Sequence, residues 1–254
     1  MMQEAPGFAS GFNIEAFPLL FDYLLVFALI ESRSLVFAGI TLFRKNSSSS
    51  RKTVPTRDDY ILNLSTSAIF ALAIVAILML RDHGYLMVPL GDSVWSLYKQ
   101  IGFFLGALIL QDALFYFAHR ALHSQPLYRL AHVAHHQVSE PSPWTAFAFS
   151  PVESLIHALC LIVIAVVFPL HPVTLIALLV TMSVWAILNH VSLEDLPRSF
   201  PHHWLGSWII GPAHHCVHHR KQHLNYGLYF TYLDQLFRTD DVEYTLEMSR
   251  REPV

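Results

Sequence analysis

Residues 60–80 read YILNLSTSAIFALAIVAILML and carry no charged side chain. A helix needs about 20 apolar residues to cross the hydrocarbon core of a bilayer, so this stretch argues for a membrane protein. Composition agrees: of 254 residues, 54% are hydrophobic and 14% charged, against roughly 25% charged in an ordinary soluble domain. Further apolar runs occupy 17–43, interrupted by Asp22, Glu31 and Arg33, and 98–117, YKQIGFFLGALILQDALFYF. Two more, 152–170 and 173–189, are separated only by His171 and Pro172 and read as a tight hairpin. A soluble bundle of buried helices is the competing reading, but it needs a polar face recurring at helical period, and these runs have none. The expected fold is all-α: a multi-span transmembrane helical bundle of about five spans, hairpin included, with a cytoplasmic histidine-rich cap.

Basic residues place the cap, because they concentrate in cytoplasmic loops. Arg44, Lys45, Arg51, Lys52 and Arg57 follow the first run, whereas residues 81–97 hold Arg81 beside Asp82 and Asp92. Counting crossings then puts the end of the third span, near His119, on the cytoplasmic side, with everything from His190 to Val254. The net charge of −3 gives no reason to expect nucleic acid. Two cysteines, Cys160 and Cys216, cannot make a disulfide framework. The start, MMQEAPGFAS, lacks the basic region and cleavage site of a signal peptide, so the first span is expected to persist. NSSSS at 46–50 reads as a flexible loop.

All of the 16 histidines except His83 lie between His119 and His223. Three groups stand out: HRALH, with His119 and His123; HVAHH, with His132, His135 and His136; and HCVHH, with His215, His218 and His219. Residues three and four apart share a helix face, so each group aims two or three imidazoles at one point, as a metal requires. Imidazole suits zinc, copper, iron and nickel. One zinc is saturated by four ligands, and eight boxed histidines exceed that. Two metals about 3.5–4 Å apart, each taking four or five nitrogens, use them well. The zinc-protease motif fails, because HRALH has arginine where that motif has its glutamate. A haem pair calls for single histidines deep inside facing spans. A histidine-rich metal-handling loop is normally polar and repetitive, whereas these boxes lie among aromatics.

The ordered set DALFYFAHRALH, LYRLAHVAHH and AHHCVHH, followed by NYGLYFTYLDQLF, resembles the membrane-bound fatty acid hydroxylase/sterol desaturase superfamily. HHQVSEPSPWTAFAFSPVE is similar to its sterol C-5 desaturase branch. The resemblance implies a non-haem di-iron centre, O2 as co-substrate, an external electron donor, and a lipid substrate (sterol, fatty acyl or related) that is hydroxylated or desaturated. It implies a catalytic core of about residues 105–240 in a single membrane domain, 1–254, and one more ligand at the end of the last span, supplied here by His190. Zinc is expected in purified samples if expression swaps the iron.

Departures from the family pattern are LFRTD, where glycine is common, and the extra histidine His214. His202 and His203 read as interfacial residues beside Trp204 and Trp208, His157 and His171 as structural, and His223 as facing solvent or a head group. The liganding imidazoles need partners for their other ring nitrogens. Asp112, two helical turns before His119, is the first candidate, followed by Glu140, Glu153, Glu194 and Asp234. No fused electron-transfer domain is visible, so a separate ferredoxin or cytochrome with its reductase is expected. The ending REPV lacks a dilysine-type retrieval signal, which favours a bacterial inner membrane. The other function class is a membrane metal-binding or transport protein, but transport ligands should line the spans near mid-membrane, and these gather at one level.

Overall fold

The protein's structure is a computed structural model that describes residues 16–37, 39, 56–86, 94–137, 142–191 and 208–241. Its long elements are α-helices: α1 (Ala16–Glu31), α2 (Arg57–Asp82), α3 (Val94–Leu122), α4 (Pro151–Val167) and α5 (Pro172–Asn189). Two shorter ones follow, α6 (Pro212–Lys221) and α7 (Tyr232–Phe237). Among the described residues there is no strand, only an isolated bridge between Ile209 and Phe230.

Local chemistry sets the helix starts. Thr56 and Asp59 form a reciprocal capping box at α2, satisfying donors that a helix otherwise leaves orphaned. Ser150 caps α4, with Pro151 at the first helical position, and His171 caps α5, with Pro172 there. Proline at that position loses no helical hydrogen bond. The HP dipeptide therefore turns the chain as expected.

Three stretches are long and apolar enough to cross a membrane: Arg57–Asp82, Ser96–Leu122 and Pro172–Asn189. Five spans were expected. α4 has 17 residues and α1 has 16, or about 26 and 24 Å of helix at 1.5 Å per residue, somewhat less than the bilayer core. Gln100 of α3 closes the α4–α5 turn. Its Nε2 donates to Pro169 O at 3.1 Å, while its Oε1 accepts from His171 N at 2.9 Å and Thr174 Oγ1 at 2.8 Å. These three bonds tie the turn to α3.

α2 packs against α1 and α4, and α3 against α4 and α5. Phe70, Ile74 and Ile77 of α2 meet Ala107, Leu161, Ile164 and Leu178 in the core. The other faces stay apolar: Leu29, Leu72, Ile109, Leu159 and Val180 are all exposed on the bundle's outside. That pattern suits lipid. Two of the three charges in the first apolar run, Glu31 and Arg33, are paired within the bundle. Arg33 donates to Asn63 Oδ1 at 3.2 Å and Ser67 Oγ at 2.9 Å, and Ser67 in turn donates to Glu31. The basic loop residues Arg44, Lys45, Arg51 and Lys52, the NSSSS loop and Asp92 lie outside the described residues.

Candidate metal centre

The three histidine boxes reach one place from three directions. His119 lies in the last turn of α3, and His123 lies just beyond its end at Leu122. His215, His218 and His219 share one face of α6. The middle box departs from the expected regular helix: Tyr128–His132 is a π turn and His135–Gln137 a 3-10 turn. Successive residues of a helical turn point in different directions, so the neighbours His135 and His136 aim at different places. His190 caps the C-terminus of α5.

Nitrogens of His119, His123, His132, His136 and His218 converge within 4.8 Å of one another, as do those of His135, His190, His215 and His219. All nine histidines named from the sequence fall into these two groups. Each adjacent pair is divided between them, His135 from His136 and His218 from His219. The groups are in contact, with the His136 and His219 ring centroids 4.6 Å apart.

The outward nitrogens explain which atoms face inward. His119 Nδ1 donates to Tyr226 O at 3.0 Å, His218 Nδ1 to Leu224 O at 2.7 Å, and His190 Nδ1 to Ala186 O at 2.8 Å. His132 Nδ1 donates to Glu153 Oε1 at 2.8 Å, with both side chains 1% exposed. These acceptors fix the tautomer and leave each Nε2 as a lone pair. In the first group the Nε2 atoms of His123, His132, His136 and His218 form a closed ring with contacts of 3.1–3.2 Å. At least two of these four can only accept, so the ring cannot satisfy all of its contacts with protons. A cation at its centre resolves the repulsion. The donor set fits a metal.

Burial and crowding keep the rings neutral. Burial, then the neighbouring imidazoles, pushes His123 down to about 3. The same causes hold His135, His215 and His218 well below the ordinary histidine range. Neutral imidazole is the metal-binding form.

Asp112 does not serve the histidines directly. Its Oδ1 accepts from the backbone N–H groups of Leu228, Tyr229 and Phe230 at 3.2, 2.7 and 3.2 Å. The chain folds back beside α3 and brings those residues to it. Asp234 accepts from Tyr226 N at 2.8 Å and Gly227 N at 2.9 Å. The two carboxylates clamp the segment whose carbonyls orient His119 and His218. Of the candidate partners, Glu153 touches a clustered imidazole; Glu140 and Glu194 lie outside the described residues, as do His202 and His203. His214 accepts from Gly211 N at the start of α6, His157 stacks on Phe115, and His223 is exposed. A cavity of about 70 Å³, lined by aromatic and aliphatic side chains, abuts His119, His132, His135, His190 and His215.

The fatty acid hydroxylase family model matches residues 104–239, just over half of the chain. The chain belongs to the fatty acid hydroxylase/sterol desaturase superfamily. It is 31% identical over 164 residues to lathosterol oxidase of Homo sapiens, covering 64% of this chain and 53% of that protein. It is 32% identical over 175 residues to a Delta(7)-sterol 5(6)-desaturase of Gibberella zeae, covering 66% and 52%. To a methylsterol monooxygenase of Aspergillus fumigatus the identity is 38% over 169 residues, covering 63% and 52%. The chain spans about half the length of these curated relatives. No solved structure matches it significantly.

Proposed function

We propose that this chain is a membrane-bound, non-haem di-iron oxidoreductase. It uses O2 and electrons from a separate ferredoxin or cytochrome to hydroxylate or desaturate a lipid C–H bond. The observation that supports this best is the pair of facing imidazole groups, one of five and one of four, at the end of an apolar cavity. Relatives named as a sterol oxidase, a sterol desaturase and a methylsterol monooxygenase make a sterol the leading lipid. In this reading the whole chain is one membrane domain, in a bacterial inner membrane with the histidines toward the cytoplasm.

His119, His123, His132, His136 and His218 would hold one metal, and His135, His190, His215 and His219 the other. Bound iron supplies O2 activation and the oxidising power needed for an unactivated C–H bond. The chain's own residues do the rest. Glu153 and the carbonyls of Ala186, Leu224 and Tyr226 hold the Nδ1 protons outside, so that the Nε2 lone pairs face inward. Phe115, Phe147 and Phe149 line the approach and exclude water, which protects a reactive centre from side reactions.

The test is mass spectrometry of lipid extracts from cells with and without the protein. The reading requires a lipid that gains an oxygen atom or loses a pair of hydrogens only when the protein is present. No change in any lipid, with the metal-loaded protein and its electron donor both present, overturns it.

A further inference from the structure

Most of the cavity wall is apolar, built from residues such as Phe70, Phe147, Phe149 and Leu161. Two amides interrupt it, Gln111 and Asn189. Gln111 precedes His119 by eight residues on α3, which puts it about 12 Å farther from the histidine end at 1.5 Å per residue. It is 7% exposed. One half of its amide is engaged, since the Tyr229 hydroxyl donates to Oε1 at 2.8 Å. Among the described residues nothing pairs with its Nε2. Asn189 is 4% exposed; its Nδ2 donates to Leu228 O at 3.3 Å, which turns Oδ1 away, buried and without a partner. Both amides are thus fixed by the 228–229 segment that Asp112 clamps. A polar group without a partner in a buried, mostly apolar wall is costly, and polar groups left open in a pocket commonly await a ligand.

We propose that this wall recognises a free hydroxyl group on the lipid. The hydroxyl oxygen accepts from Gln111 Nε2, while Asn189 Oδ1 is a second open acceptor beside His190. The inference rests on the lipid-oxidising reading and narrows it to lipid alcohols over hydrocarbon chains. Gln111 is then a specificity-determining residue, because anchoring the oxygen determines which carbon faces the histidines. An ordered water on Gln111 is the competing occupant, and it gives no preference for an alcohol.

The experiment uses the purified full chain in vesicles, with radiolabelled cholestanol and cholestane, which lacks the hydroxyl, at equal mole fraction. Binding should favour cholestanol about tenfold or more, the scale of one buried hydrogen bond made or left unmade. Gln111→Leu should bring the ratio close to unity by weakening cholestanol alone, with cholestane binding and metal content unchanged. Gln111→Met fills a similar volume and replaces the leucine variant if that one does not fold. Equal binding of the two probes by the unmodified protein, or a ratio unaltered in a folded variant, overturns the proposal. Lipid oxidation with a ratio that ignores Gln111 sinks this inference alone. A Gln111-dependent ratio in a protein that oxidises no lipid sinks the proposed function alone.

Discussion

Glu153→Ala should separate the two metals. Glu153 and its partner His132 are each about 1% exposed, and their contact is 2.8 Å. Removing the carboxylate leaves the His132 Nδ1 proton buried without an acceptor, which costs about 1–3 kcal/mol. It also frees the ring to turn its lone pair away. Loss of an outer partner of a liganding histidine typically weakens metal binding about 10–100-fold. His132 belongs only to the group of five, so the cost should fall on one metal. Metal titration against a competing chelator, followed by elemental analysis, should find one weakened site and one unchanged. Glu153→Gln keeps an acceptor oxygen and should fall between Glu153→Ala and the unmodified protein. His190→Ala should weaken the other site and spare the first. Equal weakening of both sites by Glu153→Ala, or none, would refute the division into two groups.

Gly227→Ala should destabilise the protein by about 1–3 kcal/mol and lower its metal content, because the new Cβ would lie 2.6 Å from Phe230 O and 2.9 Å from Asp234 Oδ2. An unchanged melting temperature in detergent would show that the 226–230 segment is not clamped as described. Acid should destabilise the metal-free protein. Burial holds His214 down to about 4 and, with neighbouring imidazoles, His123 down to about 3, against about 6.5 in an unfolded chain. Below about pH 6.5 the unfolded state therefore binds more protons than the folded one, and stability present above that pH is lost toward pH 4. A melting temperature flat between about pH 7.5 and 5 counts against neutral, buried imidazoles. Reporter fusions after His136 and Val254 should report the same side of the membrane, and one after Gly91 the other. Opposite results at the first two mean that residues 171–172 do not form a hairpin.

Local signals in the sequence carried a good part of this structure. A proline at the first helical position after His171 marks the α4–α5 turn, and the i,i+4 spacing of His119 and His123 survives even though α3 ends between them. The division of each His–His pair between two groups was not legible. It depends on how the 128–137 segment and helix α6 meet, with the His136 and His218 rings in contact, and on the packing of that segment against α4 through Glu153. The partners of Asp112 are hidden from the sequence for a related reason. Periodicity placed it on the face of His119, but its partners lie more than a hundred residues later, at 228–230. Glu153 and His132, 21 residues apart, meet only because α4 returns beside the middle box. The pairing of Glu31 and Arg33 with Asn63 and Ser67 likewise comes from helix packing, and it explains how an apolar run tolerates both charges.

The most direct measurement is elemental analysis of the purified, folded chain after removal of loosely bound ions. The account predicts two metal atoms per chain, iron or zinc according to supply, held by nine histidines, eight of them buried. One atom per chain, or none, in protein that is fully folded by circular dichroism would contradict it.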